Sequence, residues 1–329
     1  MPFPQRSPDP APFAAPRAAA DVRVAVCVCT YQRPAMLAAL LDSLARQSFA
    51  GPAPRVTVIV VDNDADASAR EVVGAARDAL PFPLRYEVEP ERNIALARNR
   101  AVRAALEEGT DFAAFIDDDE AARPDWLRAL LEAQARYGAD VVAGPVRPLY
   151  PAEAPAWLVR GGFWDAPRED TGALLPTAST NNALVTRRLL EEPGGPFDPA
   201  FGIGGSSDSL FFLRARRRGA TLVWTADAVV EETVPASRAR AGWVLRRAFR
   251  YGNAAVLCER ALDPGLRRVG TRVAKAAGRF GIAAVLLAPS ALLGRRGLLT
   301  ALRSLSYGAG ALAALLGYRY LEYRETHGG

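Results

Sequence analysis

The chain has 329 residues and a net charge of +5, and half of its residues are apolar, which is enough for a large core. Its single histidine, His327, excludes Ser-His-Asp triads, Cys-His dyads and histidine-rich zinc sites, so any metal ion must bind mainly to oxygen ligands. Cys27 and Cys29 share one face of a predicted strand with Cα atoms about 6.6 Å apart, which predicts free thiols and a reducing compartment.

The two ends of the chain differ from its middle. Residues 1–20 are rich in Pro and Ala and lack an apolar stretch, which predicts a disordered leader rather than a secretory signal. Residues 1–237 carry 25 basic and 32 acidic side chains, whereas residues 238–329 carry 16 and 4. This asymmetry predicts a front part that performs chemistry and a back part that meets an anionic surface.

Predicted strands and helices alternate along the front part. The predicted strands cover residues 22–31, 55–64, 84–91, 111–120 and 139–146, and the predicted helices cover residues 33–49, 67–80, 94–109 and 124–138. Pro34 and Pro124 suit helix starts, and Gly109 and Gly138 suit helix ends. The alternation predicts a doubly wound, mainly parallel α/β sheet with helices on both faces.

Polar clusters follow three of the predicted strands, at residues 30–33, 62–64 and 117–119. Ligands of doubly wound sheets bind at the carboxyl ends of the strands, so these clusters predict a site at one sheet edge. No Gly-x-Gly-x-x-Gly motif follows the first strand, and no P-loop motif occurs. A nicotinamide site and P-loop chemistry are therefore not expected.

Four consecutive acids, from Asp117 to Glu120, follow the apolar strand in "FIDDDE". Strand alternation would place Asp117 and Asp119 on the same side, where they could hold Mg²⁺ or Mn²⁺ against a diphosphate. The alternative is a solvated acidic loop between a strand and a helix. The acidic residues alone leave both interpretations open.

Four blocks occur along the chain in this order: "VCVCTYQRPAMLAALLDSLARQ", "VIVVDND", "ERNIALARNRAV" and "FIDDDEAARPDWL". Together they resemble the family 2 glycosyltransferases of the GT-A fold, in particular the bacterial exopolysaccharide-type members, and the resemblance extends over about residues 22–255. It implies a GT-A domain at residues 21–255, with a nucleotide-sugar half at about 21–145 and an acceptor half at about 146–255. A basic and apolar helical extension, expected to associate with a membrane, follows at residues 256–329.

The resemblance also implies a donor site. The residues implied to bind the nucleotide-sugar are Thr30, Tyr31, Arg33, Asp62, Asn93, Arg98, Asp117 and Asp118, and those implied to bind Mg²⁺ or Mn²⁺ are Asp117 and Asp119. Within this set, Asp62 matches the carboxylate that accepts a hydrogen bond from the base. Asp119 matches the direct metal ligand that bridges to the diphosphate.

Asp208 matches the general base of the family, which takes the proton of the acceptor hydroxyl group. Ser207 stands where relatives usually carry Glu. The alternative role for Asp208 is the N-cap of the helix predicted in "SSDSLFFLRARRRG".

Four aromatic residues could stack on sugar rings, namely Trp157, Phe163, Trp164 and Trp224. For Trp157 and Trp164, in a segment rich in Gly and Pro, sugar contact and core packing both stay open. Trp224 lies in a predicted strand, which favours core packing.

The back part combines arginines with apolar segments. Arg246, Arg247 and Arg250 share a predicted helix with Trp243, and apolar stretches follow at residues 280–294 and 297–318. The first stretch is shorter than the ~20 residues that a spanning helix needs, so we expect a pair of interfacial or re-entrant helices. The alternative is a buried helical hairpin packed on the domain.

The resemblance implies a metal-dependent inverting glycosyltransferase at the cytoplasmic face of the bacterial inner membrane. It would move a sugar from a nucleotide-sugar, with UDP-sugars first, to a saccharide or a polyprenyl-diphosphate-linked acceptor in cell-surface polysaccharide or glycolipid synthesis. One alternative is a nucleotidyltransferase, although "CTYQRPAM" lacks the Gly-rich loop of that class. Another is a non-catalytic module that binds anionic lipid. Nucleic-acid binding is not expected, because the front part is acidic.

Overall fold

The structure is a computed structural model that describes residues 19–164, 169–265 and 269–322. Most of the predicted leader and the sole histidine, His327, lie outside the described residues. All three cysteines lie within them and are free thiols, as predicted for Cys27 and Cys29.

The helices and strands follow the predicted alternation, with additional short elements. The strands are β1 Arg23–Thr30, β2 Arg55–Asp62, β3 Leu84–Val88, β4 Phe112–Ile116, β5 Glu120–Ala122, β6 Val141–Ala143, β7 Val146–Leu149, β8 Asn182–Thr186, β9 Leu222–Trp224 and β10 Val230–Thr233. The helices are α1 Pro34–Ala45, α2 Arg70–Ala76, α3 Ile94–Glu107, α4 Trp126–Tyr137, α5 Ala156–Val159, α6 Arg187–Leu190, α7 Ser207–Arg217, α8 Ala241–Leu262 and α9 Val269–Leu315.

The central sheet has seven strands in the order β3-β2-β1-β4-β8-β6-β9. Only β8 runs against its neighbours, β4 and β6, so the predicted doubly wound, mainly parallel sheet is confirmed. A second sheet of three strands, β5-β10-β7, was not predicted. It lies beside the acidic turn, because β5 begins at Glu120.

The single strand predicted at residues 139–146 is wrong, because the chain there divides into β6 and β7, which belong to different sheets. Gly144 lies between them. A Cβ atom at Gly144 would lie 2.3 Å from the carbonyl oxygen of Ala228, so only glycine lets the chain pass this close. The backbone contact and not the apolar pattern therefore ends β6.

The core lies on both faces of the sheet. Val24, Val26 and Val28 of β1 pack with α1 and α4 in one apolar cluster. Ala25 and Cys27, which point to the opposite face, pack with α3 and α7 in a second cluster. This alternation explains why β1 is apolar throughout, as buried parallel strands are.

The helix ends largely agree with the sequence. Pro34 is the first residue of α1, and Gly109 and Gly138 adopt left-handed conformations after α3 and α4. The predicted start of α4 at Pro124 is wrong, because this helix begins at Trp126. The carbonyl oxygen of Pro124 accepts a 2.7 Å hydrogen bond from the backbone of Ser48, so it is turned out of the helix.

The C-terminal helices pack on one another. α9 breaks at Gly294, whose φ of 60° and ψ of −149° are not helical. Of the helices in the described residues, Gly294–Leu315 alone is long and apolar enough to cross a membrane, and a third of its most apolar window is buried. The predicted domain boundary near residue 255 falls inside α8.

Candidate active site

A cleft of about 280 Å³ opens at the carboxyl edge of β1 and β4, where the sequence predicted a site. Nine of the ten predicted site residues line it: Thr30, Tyr31, Arg33, Asn93, Arg98, Asp117, Asp118, Asp119 and Asp208. The tenth, Asp62, does not. The fold therefore brings together residues from four separate segments of the chain.

The turn after β1 is bonded directly to the turn after β4. Thr30 Oγ1 donates a 2.8 Å hydrogen bond to Asp118 Oδ2, and Arg33 Nη1 donates a 3.0 Å hydrogen bond to Asp118 Oδ1. Arg33 Nη1 also lies 3.3 Å from Asp119 Oδ2. Asp118 is 5 % exposed, so these two partners compensate a nearly buried carboxylate.

The four acids alternate in exposure, although Asp118 and Asp119 lie in a turn between β4 and β5. Asp118 and Glu120 are buried, whereas Asp117 and Asp119 are partly exposed to the cleft. Burial raises the pKa of Asp117 to about 7; the positive charge of Arg98 opposes this shift, and the neighbouring aspartates add to it. Burial likewise raises the pKa of Asp118 to about 6. This crowding of carboxyl groups favours a cation in the cleft.

The donor set of the cleft fits Mg²⁺ or Mn²⁺. Asp117 and Asp119 offer hard oxygen ligands, and these ions commonly take one or two carboxylates and complete their shell with water and phosphate oxygens. No group of three or more His, Cys, Asp or Glu side chains in the described parts of the chain encloses a metal position. Two carboxylates plus substrate oxygens is therefore the arrangement that these residues suit.

Asp62 lies outside the cleft lining and is fully buried. Asp62 Oδ2 accepts hydrogen bonds from the backbone of Ala69 at 2.7 Å and from the Tyr86 hydroxyl group at 2.9 Å, and Asp62 Oδ1 accepts one from the backbone of Asp64 at 3.2 Å. The carboxylate thus holds the loop after β2 together and joins it to β3. Its neighbour Asn63 lines the cleft instead.

Asn93 precedes α3 and Arg98 lies within it, and the N-terminus of this helix meets the cleft. Asn93 caps this helix, because its Oδ1 accepts a 3.0 Å hydrogen bond from the backbone of Ala95. Arg98 Nη1 donates a 3.2 Å hydrogen bond to Ser207 Oγ at the start of α7. Arg98 therefore links the predicted nucleotide-sugar half to the predicted acceptor half.

Asp208 lies in the first turn of α7, and the N-cap of this helix is Ser206. The N-cap interpretation of Asp208 is therefore wrong. Asp208 Oδ1 accepts a 2.7 Å hydrogen bond from the backbone of Ser209, and no described residue donates to Asp208 Oδ2. The negative charge of Asp208 contributes to the raised pKa of Asp117, which is consistent with its position in the same cleft.

Sequence reasoning missed Arg238 and Glu232, which close the cleft from the side of β10. Arg238 Nη1 lies 3.1 Å from Glu232 Oε1 and 3.6 Å from Asp119 Oδ2. Both residues come from the short second sheet and the loop after it. The sequence shows a basic residue in "VPASR" near the end of the predicted acceptor half. Its distance along the chain from the aspartates gave no reason to predict a contact with them.

The back part of the chain also reaches the cleft, which the sequence did not indicate. Trp243, Arg247, Arg250 and Tyr251 of α8 line it. Arg247 Nε donates a 2.7 Å hydrogen bond to the Tyr251 hydroxyl group. The arginines assigned to an anionic surface thus lie partly in the site.

The tryptophans that were candidates for sugar stacking do not line the cleft. Trp164 is nearly buried and stacks on Trp243, with ring centroids 5.0 Å apart and planes at 9°. Trp157 packs in the same apolar cluster. Trp224 is buried in the core, as expected. Trp243 is the aromatic residue of this stack that faces the cleft.

The sequence matches the model of glycosyl transferase family 2 over residues 25–192. The chain belongs to this family. The succinoglycan biosynthesis protein ExoM of Rhizobium meliloti (strain 1021) is 38 % identical over 307 residues, which cover 92 % of this chain and 95 % of that protein. Family membership makes the chain a glycosyltransferase rather than a nucleotidyltransferase or a non-catalytic lipid-binding module.

Solved structures share the fold at low sequence identity. The mannosyltransferase PcManGT from Pyrobaculum calidifontis, in complex with GDP-Man and Mn²⁺, matches with a TM-score of 0.62 and 23 % identity over 91 % of this chain and 88 % of that chain. Residues 1–349 of S. aureus TarS, in complex with UDP-GlcNAc, match with a TM-score of 0.53 and 17 % identity over 92 % and 93 %. The central domain of this family 2 chain is therefore a GT-A glycosyltransferase fold.

Proposed function

We propose that this chain is a metal-dependent inverting glycosyltransferase that moves a sugar from a nucleotide-sugar to a saccharide or lipid-linked saccharide acceptor. The observation that carries the proposal is the shared cleft of Asp117, Asp119 and Asp208. Asp117 and Asp119 suit a metal ion that binds a diphosphate, and Asp208 suits a general base.

The donor would lie along the edge formed by β1, α3 and β4. Tyr31 and Arg92 line this edge, with the guanidinium carbon of Arg92 4.4 Å from the Tyr31 ring centroid, and the nucleoside would pack against this pair. Arg33 and Arg98 add positive charge for the phosphates. The relatives with bound GDP-Man and UDP-GlcNAc support a nucleotide-sugar donor, and UDP-sugars are the first to test.

Asp117 and Asp119 would hold Mg²⁺ or Mn²⁺, and the relative with bound Mn²⁺ supports this assignment. The ion supplies positive charge that neutralises the departing diphosphate. The raised pKa of Asp117 is consistent with a carboxylate that gains from a cation partner, because the ion would offset the repulsion among the aspartates.

Asp208 would act as the base in a single displacement. The acceptor hydroxyl oxygen forms a bond to the anomeric carbon while the bond from that carbon to the diphosphate oxygen breaks. The hydroxyl proton passes to Asp208 Oδ2, and the electron pair leaves with the nucleoside diphosphate. Attack on the face opposite the leaving group inverts the anomeric centre.

The acceptor would approach from α8 and α9 at a membrane surface. Exposed apolar side chains on α9 include Ile282, Val285 and Leu298. The same helix carries Arg279 and Arg303, whose guanidinium groups lie over the rings of Tyr307 and Phe163. An apolar face with arginines suits an anionic membrane and a polyprenyl-diphosphate-linked sugar. The resemblance to a succinoglycan biosynthesis protein supports cell-surface polysaccharide synthesis at the cytoplasmic face of the inner membrane.

The proposal is tested with membranes that contain the full chain. They are incubated with Mn²⁺, lipid extract and a panel of UDP- and GDP-sugars, and release of nucleoside diphosphate is measured. We expect release with one donor, loss of release with EDTA and recovery with added Mn²⁺. The proposal is contradicted if none of the donors in the panel gives release, or if activity in EDTA is undiminished.

Two variants sharpen this test. Asp119→Ala should lower the rate about 100-fold or more, because it removes a metal ligand. Asp125→Ala is the matched control, since Asp125 is a partly exposed aspartate six residues along the chain whose side chain, among the described residues, pairs with Arg128. Equal loss in both variants would indicate a folding defect instead of a metal site.

A further inference from the structure

Arg238 has a buried hydrogen-bond donor without an acceptor. Its Nε atom is inaccessible to solvent and has no hydrogen-bond partner among the described residues, although its Nη1 atom contacts Glu232 and Asp119. The side chain is 15 % exposed and lines the cleft. A guanidinium group is therefore held at the site with one of its N–H groups unused.

A buried donor without an acceptor is unfavourable, because the group loses its bonds to water and gains none in return. Thr180 Oγ1 is a second buried polar atom without a partner, and Thr180 lines the same cleft. Two such atoms at one site indicate that a ligand with oxygen acceptors completes the cleft.

The contact of Arg238 with Asp119 points to the part of the ligand that it binds. Asp119 Oδ2 lies 3.3 Å from Arg33 and 3.6 Å from Arg238. In this structure, two guanidinium groups therefore contact the carboxylate that is proposed to bind the metal. Arg33 is also bonded to Asp118 at 3.0 Å, which fixes its place. Arg238 has the longer contact with Asp119 and is the one free to leave it.

We propose that Arg238 binds the diphosphate of the donor and exchanges Asp119 for that diphosphate when donor and metal enter. Glu232, 3.1 Å from Nη1, keeps Arg238 in the cleft while the guanidinium group turns from Asp119 to the diphosphate. The face of Trp243, 5.9 Å from the guanidinium carbon, bounds its other side. This inference rests on the proposed function and adds a residue that holds the leaving group as the sugar is transferred.

A diphosphate suits Arg238 better than a sugar hydroxyl group does. Two N–H groups of a guanidinium group donate in parallel to two phosphate oxygens, which uses the idle Nε–H of Arg238. The exchange also conserves local charge, because a cation replaces Arg238 at Asp119 while the arginine meets the new anion. A hydroxyl group would supply no charge to draw the arginine from the carboxylate.

The test measures binding by calorimetry in the presence of Mn²⁺ with the full chain and without acceptor. The ligands are UDP and GDP, with uridine and guanosine as the matched ligands that lack phosphate. We expect Arg238→Gln to weaken binding of the cognate diphosphate about 10- to 100-fold and to leave nucleoside binding unchanged. Arg238→Lys, which keeps the charge and the contact with Glu232, should recover only part of the affinity because it cannot donate two parallel bonds.

Arg240→Gln is the control variant, because Arg240 is exposed and lies two positions along the same loop. Unchanged diphosphate affinity in both Arg238 variants overturns the inference while the proposed function stands. An equal loss of nucleoside and diphosphate binding also overturns it, since that pattern indicates general damage to the cleft. If the unmodified chain binds neither diphosphate, the proposed function itself fails.

Discussion

Thr30 at the end of β1 and Asp118 after β4 are 88 positions apart in the chain and share a 2.8 Å hydrogen bond. Both residues are almost fully buried, at 3 % and 5 % exposure. The bond fixes the acidic turn to the edge of the parallel sheet, so the partly exposed Asp117 and Asp119 face the cleft. The position of the proposed metal ligands thus depends on Asp118, which lies between them and points into the protein.

Thr30→Val should destabilise the fold, because Asp118 Oδ2 would lose a donor while it stays buried. We expect a loss of about 1–3 kcal/mol in the free energy of unfolding, measured by urea denaturation. Thr57→Val is the control, since Thr57 lies in the adjacent strand β2 and is only partly buried. A loss no larger than that of Thr57→Val would contradict a structural role for the bond.

Asp117→Asn should stabilise the metal-free protein at high pH. The native pKa of Asp117 is about 7 and the unfolded value is about 3.9, so between these values the native state holds more protons than the unfolded state. The free energy of unfolding therefore falls as pH rises through that window. At pH 8 Asp117 is ionised in both states, so the whole cost of burying its charge destabilises the native state. We expect the variant to gain roughly 1–3 kcal/mol at pH 8 and little at pH 4.

The measurement is thermal unfolding in EDTA at both pH values, because a bound cation would offset the repulsion that the variant relieves. Asp66→Asn is the matched control, since it removes an exposed carboxylate after β2 that does not line the cleft. A stability gain of equal size at pH 4 and pH 8 would argue against the raised pKa.

Asp208→Asn should abolish transfer and spare donor binding. The amide keeps the size of the side chain and can still accept the hydrogen bond from the Ser209 backbone, but it cannot take up a proton at the acceptor. We expect kcat to fall about 10²- to 10⁴-fold with little change in the Kd of the donor. Asp227→Asn, in an exposed turn after β9, is the control. Near-normal kcat in Asp208→Asn would assign the base to another residue.

The order of strands and helices could be predicted from sequence, because apolar runs with β-branched residues alternate with helical periodicity and are separated by Pro and Gly. The acids at the strand ends could also be predicted, because they directly follow the apolar runs that identify the strands. The second sheet could not, since β5 and β10 are three and four residues long and leave no periodic signal. It is also the second sheet that brings Glu232 and Arg238 to the cleft.

For two residues, the sequence pattern did not predict the direction of the side chain. Asp62 has the position of a base-binding carboxylate in the sequence, but its Oδ2 atom accepts hydrogen bonds from its own loop and from Tyr86 of β3. Arg247 was grouped with a membrane-facing helix, yet it lines the cleft. A one-dimensional pattern gives the residue type and the element, whereas the direction of each side chain depends on contacts that are distant in sequence.

Binding to anionic vesicles should depend on Arg279 and Arg303, both exposed on α9. Each basic residue near such a surface contributes about 1 kcal/mol, so the double change to Gln should lower the partition coefficient roughly 30-fold. Flotation with phosphatidylglycerol-containing vesicles at low salt measures it, and pure phosphatidylcholine vesicles should show little difference. Arg103→Gln with Arg136→Gln, on α3 and α4, is the control pair of equal charge. Equal effects of the two pairs would mean that net charge and not this face decides binding.

Gly252→Ala should separate α8 from α9, because the two helices cross with almost no space between their backbones. A Cβ atom at Gly252 would lie 1.9 Å from the carbonyl oxygen of Tyr307, and one at Gly310 would lie 1.9 Å from that of Phe249. Gly242→Ala is the control in the same helix, since a Cβ atom there meets nothing within 4 Å and alanine favours the helix. We expect Gly252→Ala to lower the Tm of the detergent-solubilised chain and to expose α9 to limited proteolysis, whereas Gly242→Ala leaves both unchanged or slightly raises the Tm. Protection of α9 in Gly252→Ala equal to that in the unmodified chain would show that the crossing tolerates a methyl group.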